Sequence, residues 1–279
     1  MSKIWFITGA SSGIGAGIAN AALRAGDSVV ATARNIDKAK NALGDEHGDR
    51  LLVIPLDVTH RAQTREAVTE AVARFGRIDV LVNNAGYVLL GNFEDTTVDE
   101  IEAQFATNFY GVVHVLQAVL PVMRQQRAGH ILNIGASGGV TGLRQAGPYC
   151  ATKFAMEGLA FSLAQEVAPF GIKLTTVEPG AFRTDLLDGG NVRYVGESRT
   201  ADYAADSSPQ VTWGPYHGVQ PGDPDRLGDA LLKIVSLEAP PQTFIAGSDA
   251  LAMITPVLEA RLSDLRKFEA LSGSTDGSF

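Results

Sequence analysis

Short, unbroken apolar runs alternate with helix-period segments from the N-terminus to about Gly180, and this alternation constrains the fold of the chain more than any other feature. The runs are Ile4–Thr8, Ser28–Ala33, Leu51–Leu56, Val80–Asn83, His130–Ile134 and Lys173–Val177, with a late one at Thr243–Ala246. A strand covered on one face alternates apolar and polar residues, whereas a strand covered on both faces reads as a continuous apolar run. Between the runs, Ile14–Ala25, Arg61–Phe75, Val98–Gln125 and Tyr149–Ala168 repeat apolar residues at intervals of three and four and predict helices. The succession of strand and helix predicts an α/β fold with a doubly wound parallel sheet and helices on both faces. At 279 residues, without internal repeat or linker, the chain reads as a single domain over 1–279 with a sizeable core.

The pattern breaks after Gly180. Residues 185–224 are rich in Gly, Pro and Ser and carry Tyr194, Tyr203, Trp213 and Tyr216 without a countable period. So long an irregular stretch is either a functional lid or a disordered insertion, and the aromatics favour a lid over a substrate. Regular structure resumes with a helix near Pro224–Leu237, the late strand, and an amphipathic C-terminal extension near Pro256–Leu271.

Composition excludes several classes of function. A formal net charge of −8 gives no long-range attraction to nucleic acid or to an anionic membrane surface. The single cysteine, Cys150, permits no intramolecular disulfide, which fits a cytoplasmic protein, and a small thiol at the start of a buried helix reads as packing. The apolar run Ile4–Ile7 is too short for a signal peptide, and no stretch has the length expected of a membrane span. Histidines 47, 60, 114, 130 and 217 lack metal-ligand spacing, so no metal is expected.

Three groups of residues carry chemistry. The first predicted strand runs into Thr8-Gly9-Ala10-Ser11-Ser12-Gly13-Ile14-Gly15 and then into a helix. Glycines there permit a tight turn and close backbone approach, and the helix N-terminus offers unpaired N–H groups to a pyrophosphate. Asn83-Asn84-Ala85-Gly86 closes the fourth strand at the same sheet edge, and Asp57, ending the third, is placed to accept from an adenine amine. Finally, Tyr149 and Lys153 stand four positions apart at a helix start and share one face. A phenol titrates near ~10, and a fixed positive charge close by is expected to lower that value toward useful proton transfer.

The runs TGASSGIG, NNAG and YCATK, in this order and spacing, closely resemble the short-chain dehydrogenase/reductase family, strongly over about residues 3–185 and only in outline beyond. The resemblance implies a seven-stranded sheet in the order 3-2-1-4-5-6-7. It implies Tyr149 as proton donor to a carbonyl, Lys153 as the group that lowers its pKa and holds the nicotinamide ribose, and Asn108 as support for a water-mediated relay. It also implies coenzyme contacts from Gly9, Ser11, Ser12, Gly13, Ile14, Gly15, Asp57, Val58, Asn84, Ala85, Gly86, Tyr149 and Lys153, with Pro179, Gly180 and Thr184 at the nicotinamide end. NAD-preferring relatives carry an acidic residue at the end of strand two. Here Ala33 occupies that position and Arg34 follows, ready to pair with a 2′-phosphate, so NADP(H) is favoured and NAD(H) remains possible.

One member of the family's constellation does not match. The catalytic serine normally stands thirteen positions before the tyrosine, and that position is Ala136, with Ser137 next to it. Adjacent side chains on a regular strand face opposite ways, yet Gly135, Gly138 and Gly139 permit a local shift of register. Three alternatives stand open: Ser137 takes over through a bulge; the hydroxyl is absent, by divergence or engineering, and the enzyme is slower; or the chain binds coenzyme without turnover. The expected activity is NADPH-dependent reduction of an apolar ketone or aldehyde, or the reverse oxidation of a secondary alcohol, with a cofactor-binding sensor as the competing class. Phe182, Leu186, Leu187, Tyr194 and Trp213 are candidates for the apolar substrate pocket. The resemblance further implies a homo-oligomer paired through helices near 98–125 and 149–168.

Overall fold

The computed structural model describes residues 2–187, 191–196, 201–204 and 208–277. Strands are β1 (Ile4–Thr8), β2 (Ser28–Ala33), β3 (Leu51–Pro55), β4 (Val80–Asn83), β5 (Val88–Leu90), β6 (Gly129–Ile134), β7 (Ile172–Pro179), β8 (Val192–Tyr194) and β9 (Thr243–Ala246). All but β5 and β8 join one parallel sheet in the order β3-β2-β1-β4-β6-β7-β9, which is the expected order for the seven apolar runs.

Helices are α1 (Gly13–Arg24), α2 (Ile36–Leu43), α3 (Arg61–Phe75), α4 (Val98–Phe105), α5 (Gly111–Gln126), α6 (Gly147–Val167), α7 (Ala201–Ala204), α8 (Pro209–Trp213), α9 (Pro224–Ser236), α10 (Ser248–Lys267) and α11 (Glu269–Gly273). Alternate strand residues separate the two core layers. Phe6, Val30, Leu81 and Ile131 pack with α3, α5 and α6, whereas Trp5, Ile7, Val29, Val82 and Leu132 pack with α1 and α9. Both layers exclude water, which is why the strand runs are continuously apolar.

The structure departs from the sequence reading in four places. Helix α2, capped by Asn35 through a 2.9 Å bond from Lys38 N, had too weak an apolar stripe to register, burying only Ala39 and Leu43. The C-terminal helix begins at Ser248 and runs through Pro256, where a start at Pro256 was expected. Its first turns bury only Ala250 and Ile254, a stripe too thin to read as periodic. Residues 185–224 contain β8, α7 and α8, while 188–190, 197–200 and 205–207 of the expected lid lie outside the described residues. Fourth, the continuous helix Val98–Gln126 is 29 residues long and apolar enough, by length and composition alone, to cross a membrane. Here Val112, Val115, Leu116, Val119 and Met123 bury one of its faces in the core.

His130 on β6 makes stability depend on pH. The Thr175 hydroxyl donates to Pro241 O at 2.7 Å, so its oxygen accepts from His130 Nε2–H at 3.0 Å, leaving Nδ1 buried and unpaired. Burial, then the Lys173 charge, lowers the imidazole from 6.5 to about 4. The ring is therefore neutral in the fold and charged sooner in the unfolded chain, so its contribution is complete above about pH 6.5 and is lost as pH falls toward 4. Between pH 7 and 4.5, urea unfolding should show a loss of stability about 2 kcal/mol larger in the parent than in His130→Gln. Equal losses in the two proteins would assign the acid sensitivity elsewhere.

Candidate active site

The turn between β1 and α1 is held by the loop that follows β4. Gly9 (φ +66°) and Gly13 (φ +55°) take left-handed conformations, and a Cβ at Gly9 would lie 2.9 Å from Ala85 Cα. At Gly15 it would meet Asn84 Nδ2 at 2.4 Å. Asn84 Nδ2 donates to Thr8 O (2.9 Å) and Gly9 O (3.1 Å), and the Thr8 hydroxyl accepts from the backbone of Asn84 (3.0 Å) and Ala85 (3.1 Å). The Asn84 side chain is thus a brace, its amide hydrogens taken by the turn. Ser12 precedes α1 with extended backbone and no side-chain cap bond, so its hydroxyl and the first N–H groups of the helix are available to an anion. Ser11 and Ile14 stand in the same partly exposed turn. Against its far side lies Thr184, whose Cγ2 would sit 3.0 Å from a Cβ at Gly13. The glycines thus let Asn84, Ala85 and Thr184 close onto the turn, and the N-terminus of α1 beside them fits the pyrophosphate of a dinucleotide.

At the adenosine end, Arg34 is exposed directly after buried Ala33, and Asp57 follows the adjacent strand β3. Burial pushes the Asp57 carboxyl up, but bonds from the Thr59 hydroxyl (2.7 Å) and amide (3.0 Å), with the charges of His60 and Arg34, bring it below its usual value. Both Thr59 bonds fall on Oδ1. Val58 is buried, and its carbonyl accepts from the His114 ring at 3.0 Å.

Helix α6 opens with Pro148 in its first turn, where a missing N–H leaves no intrahelical bond unmade, and so presents Tyr149 and Lys153 on successive turns of one face. Both are buried, at 9% and 7% exposure. Lys153 Nζ lies 5.7 Å from the Tyr149 ring centroid and donates to Ile134 O at 2.7 Å. Burial lowers Lys153 to about 8 against the pull of Glu178. The phenol, however, is raised well above its ordinary value, by burial first and then by Cys150 and Glu178. This corrects the expectation of a lowered phenol: burial, Cys150 and Glu178 all raise it, and Tyr149 is held protonated.

Asn108 sits in a five-residue π-turn, Ala106–Tyr110, between α4 and α5. Such wide turns interrupt the regular ladder and often mark functional positions. The side chain grips the backbone of Tyr87, accepting from its N–H at 3.1 Å and donating to its carbonyl at 2.9 Å, and Nδ2 also reaches the Thr152 hydroxyl at 3.4 Å. That hydroxyl donates to Tyr149 O at 2.7 Å, so Asn108 links the loop after Gly86 to the start of α6. Gly86 lies directly beside it.

Opposite α6, Ala136 has extended backbone (φ −170°, ψ 158°) and shares an apolar cluster with Tyr149, Cys150, Ala146, Val88, Leu90 and Val192. Ser137, buried, begins the 3-10 turn Ser137–Gly139, and its carbonyl accepts from Val140 N, Thr141 N and the Thr141 hydroxyl. Leu187, Tyr194 and Trp213 pack on the cluster, Tyr194 and the buried Val192 being placed by parallel pairing of β5 with β8. Leu186 is exposed. Phe182, by contrast, packs in the α1–α9 layer beside Gly222 and lines a separate cavity of about 670 Å³ with Arg183 and Phe244, so it leaves the expected substrate pocket. Pro179 ends β7, and Gly180 lies against the Asp249 carboxylate, which also accepts from Ala181 N at 2.7 Å. The sequence reading missed Asp249 and Glu178, because an acidic residue inside an apolar strand or after a glycine carries no spacing signal of its own. Among the described residues, no group of three or more His, Cys, Asp or Glu side chains is arranged to hold a metal ion.

The short chain dehydrogenase family model matches residues 3–192. The oxidoreductase BOA17 of Botryotinia fuckeliana is 39% identical over 273 residues, covering 98% of both chains. A 3-ketodihydrosphingosine reductase of Bacteroides thetaiotaomicron is 40% identical over 239 residues, covering 86% of each. Among solved structures, a short-chain dehydrogenase from Streptomyces avermitilis superposes with a TM-score of 0.89 at 38% identity, over 99% of this chain and 100% of that one. A 3-ketoacyl-(acyl-carrier-protein) reductase from Brucella melitensis, complexed with NADH, gives 0.74 at 26% identity over 89% and 98%. A serine dehydrogenase complexed with NADP+ gives 0.74 at 28% over 87% and 93%. With a glycine turn closed onto the N-terminus of α1, a buried Tyr149–Lys153 pair and likeness to these proteins over 86% or more of its length, the chain belongs to the short-chain dehydrogenase/reductase family of oxidoreductases, working with a nicotinamide coenzyme.

Proposed function

We propose that the chain is an NADP(H)-preferring reductase of apolar ketones or aldehydes, slowed by the absence of a hydroxyl at position 136. The observation that carries this reading is the Tyr149 phenol, buried beside Lys153 and bordered by an apolar cluster that the lid residues Leu187, Tyr194 and Trp213 complete. The coenzyme, when bound, supplies the hydride. Tyr149 donates its proton to the developing alkoxide, and the Lys153 ammonium offsets the charge left on the phenolate. Asn108 and Thr152 keep the loop after β4 and the start of α6 in register. Gly9, Gly13, Gly15 and the N-terminus of α1 would hold the pyrophosphate, and Thr184 would meet its nicotinamide side. The 3-ketodihydrosphingosine reductase relative, whose name denotes a ketone, agrees with an apolar ketone as substrate.

Incubation with NADPH and a panel of cyclic, aryl and long-chain ketones, followed by absorbance of the reduced coenzyme, tests the proposal. NADPH binding without turnover of any carbonyl would leave the sensor class instead. Coenzyme choice has its own test. Arg34→Asp removes the cation that faces a 2′-phosphate and installs a repelling charge, so KM for NADPH should rise about 10- to 100-fold while KM for NADH falls or stays level. An unchanged NADPH/NADH ratio would place the discrimination elsewhere.

A further inference from the structure

Glu178 is a carboxyl that the mechanism above does not use. It stands one residue before the end of β7, fully buried, and Oε2 accepts from Ala136 N at 2.7 Å. Its second oxygen, Oε1, is buried without a partner. The backbone around it is cut to its shape: a Cβ at Gly135 would lie 2.4 Å from Oε1, and one at Gly139 would lie 3.1 Å from Oε2 and 3.3 Å from Lys153 Cβ. The carboxyl is therefore wedged between the two ends of the turn that carries Ala136 and Ser137, next to the stem of Lys153. An apolar residue at 178 would fill the space and leave the Ala136 N–H unpaired.

We propose that Glu178 is a positioning residue of this active site, holding the 135–139 turn opposite Tyr149, and that its ionisation turns down the reductive proton transfer. The inference rests on the reductase reading. The charged and titratable groups that bear on Glu178 are Lys153, Glu157 and Tyr149, all from α6, and Arg261 of α10 acts on Glu157 while donating to Val140 O at 2.8 Å. Burial raises the carboxyl to about 8, against the Ala136 bond and the pull of Lys153 and with the push of Glu157. Near pH 7 it is therefore mostly neutral and leaves the Lys153 charge uncompensated. As pH rises through 8 a carboxylate forms, which opposes the phenolate that Tyr149 must become when it gives up its proton, and the Lys153 ammonium, also brought to about 8, is lost over the same range. Reduction should fall on that limb through both groups, and Glu178 contributes the part that its replacement by glutamine changes.

Two variants and one spectrum test this. Glu178→Gln keeps an acceptor for Ala136 N–H and loses the titration, so kcat at pH 9 relative to kcat at pH 6.5 should exceed the parent's ratio by about tenfold. Glu178→Leu loses the acceptor as well, and kcat should fall about tenfold or more at every pH, with Gln restoring most of that loss. In the resting protein, infrared difference spectra should show a protonated-carboxyl C=O stretch at pH 6.5 that disappears across pH 7–9 and is missing from Glu178→Gln. An alkaline limb identical in the parent and Glu178→Gln would overturn the proposal, as would absence of that band at pH 6.5. If no carbonyl is turned over, the reductase reading fails by itself, and with it the proposed effect on proton transfer, while the infrared titration still decides whether Glu178 carries the proton.

Discussion

Ala136→Ser is expected to raise kcat about 10²–10³-fold, with little change in the Kd for NADPH. The reason lies in what the developing oxyanion meets. Tyr149 supplies one hydrogen bond, and a hydroxyl at 136 would supply a second from the opposite wall of the same apolar cluster. Ala136 already has extended backbone (φ −170°, ψ 158°), which serine adopts without strain, and its N–H is anchored on Glu178 at 2.7 Å, so the added oxygen enters a fixed frame. Ser137 lies one position on, at the head of a 3-10 turn, and Ser137→Ala should change kcat less than threefold. Single-turnover rates with saturating NADPH measure both variants directly. Loss of activity in Ser137→Ala, with no gain in Ala136→Ser, would show that Ser137 has assumed the role through a shift of the turn.

Tyr149→Phe should lower kcat by about 10²–10⁴, the usual weight of a positioned general acid, while KM for the carbonyl changes little. The ring is buried and Phe preserves its packing against Ala136, Val88 and Cys150, so the fold should be retained. Lys153→Met should act differently. It removes the charge that stabilises the phenolate and also the donor to Ile134 O, so both kcat and NADPH affinity should fall. Stopped-flow hydride transfer, paired with coenzyme fluorescence titration, separates the two patterns. Equal loss of coenzyme binding in both variants would assign Tyr149 a binding role and not a proton-donating one.

The seven main strands were legible because strands buried on both faces must be continuously apolar, a signal that survives without any tertiary information, whereas their order came from the family resemblance. The phosphate turn and the Tyr149–Lys153 spacing were legible because each is local: a glycine cradle and an i, i+4 pair are completed within a few residues. The pairing of β5 with β8 was not, since each is three residues long and they meet across about a hundred residues of chain, held by packing on Val88, Leu90 and Val192. Phe182 and Trp213 show the same limit. Both read as candidates for the apolar substrate pocket, yet only the fold decides that Trp213 packs on the cluster that holds Tyr149, and that Phe182 packs in the α1–α9 layer.

What the sequence alone determined is therefore the strands of the sheet and the glycine turn, because periodicity and local spacing encode them, and it set Tyr149 and Lys153 on one helical face, their proton chemistry being what the family resemblance implies. The tertiary structure alone decided the electrical state of that chemistry. Burial makes Tyr149 a firmly protonated phenol, brings Lys153 down to about 8 and raises Glu178 to about 8, and burial depends on every segment that closes over the site at once.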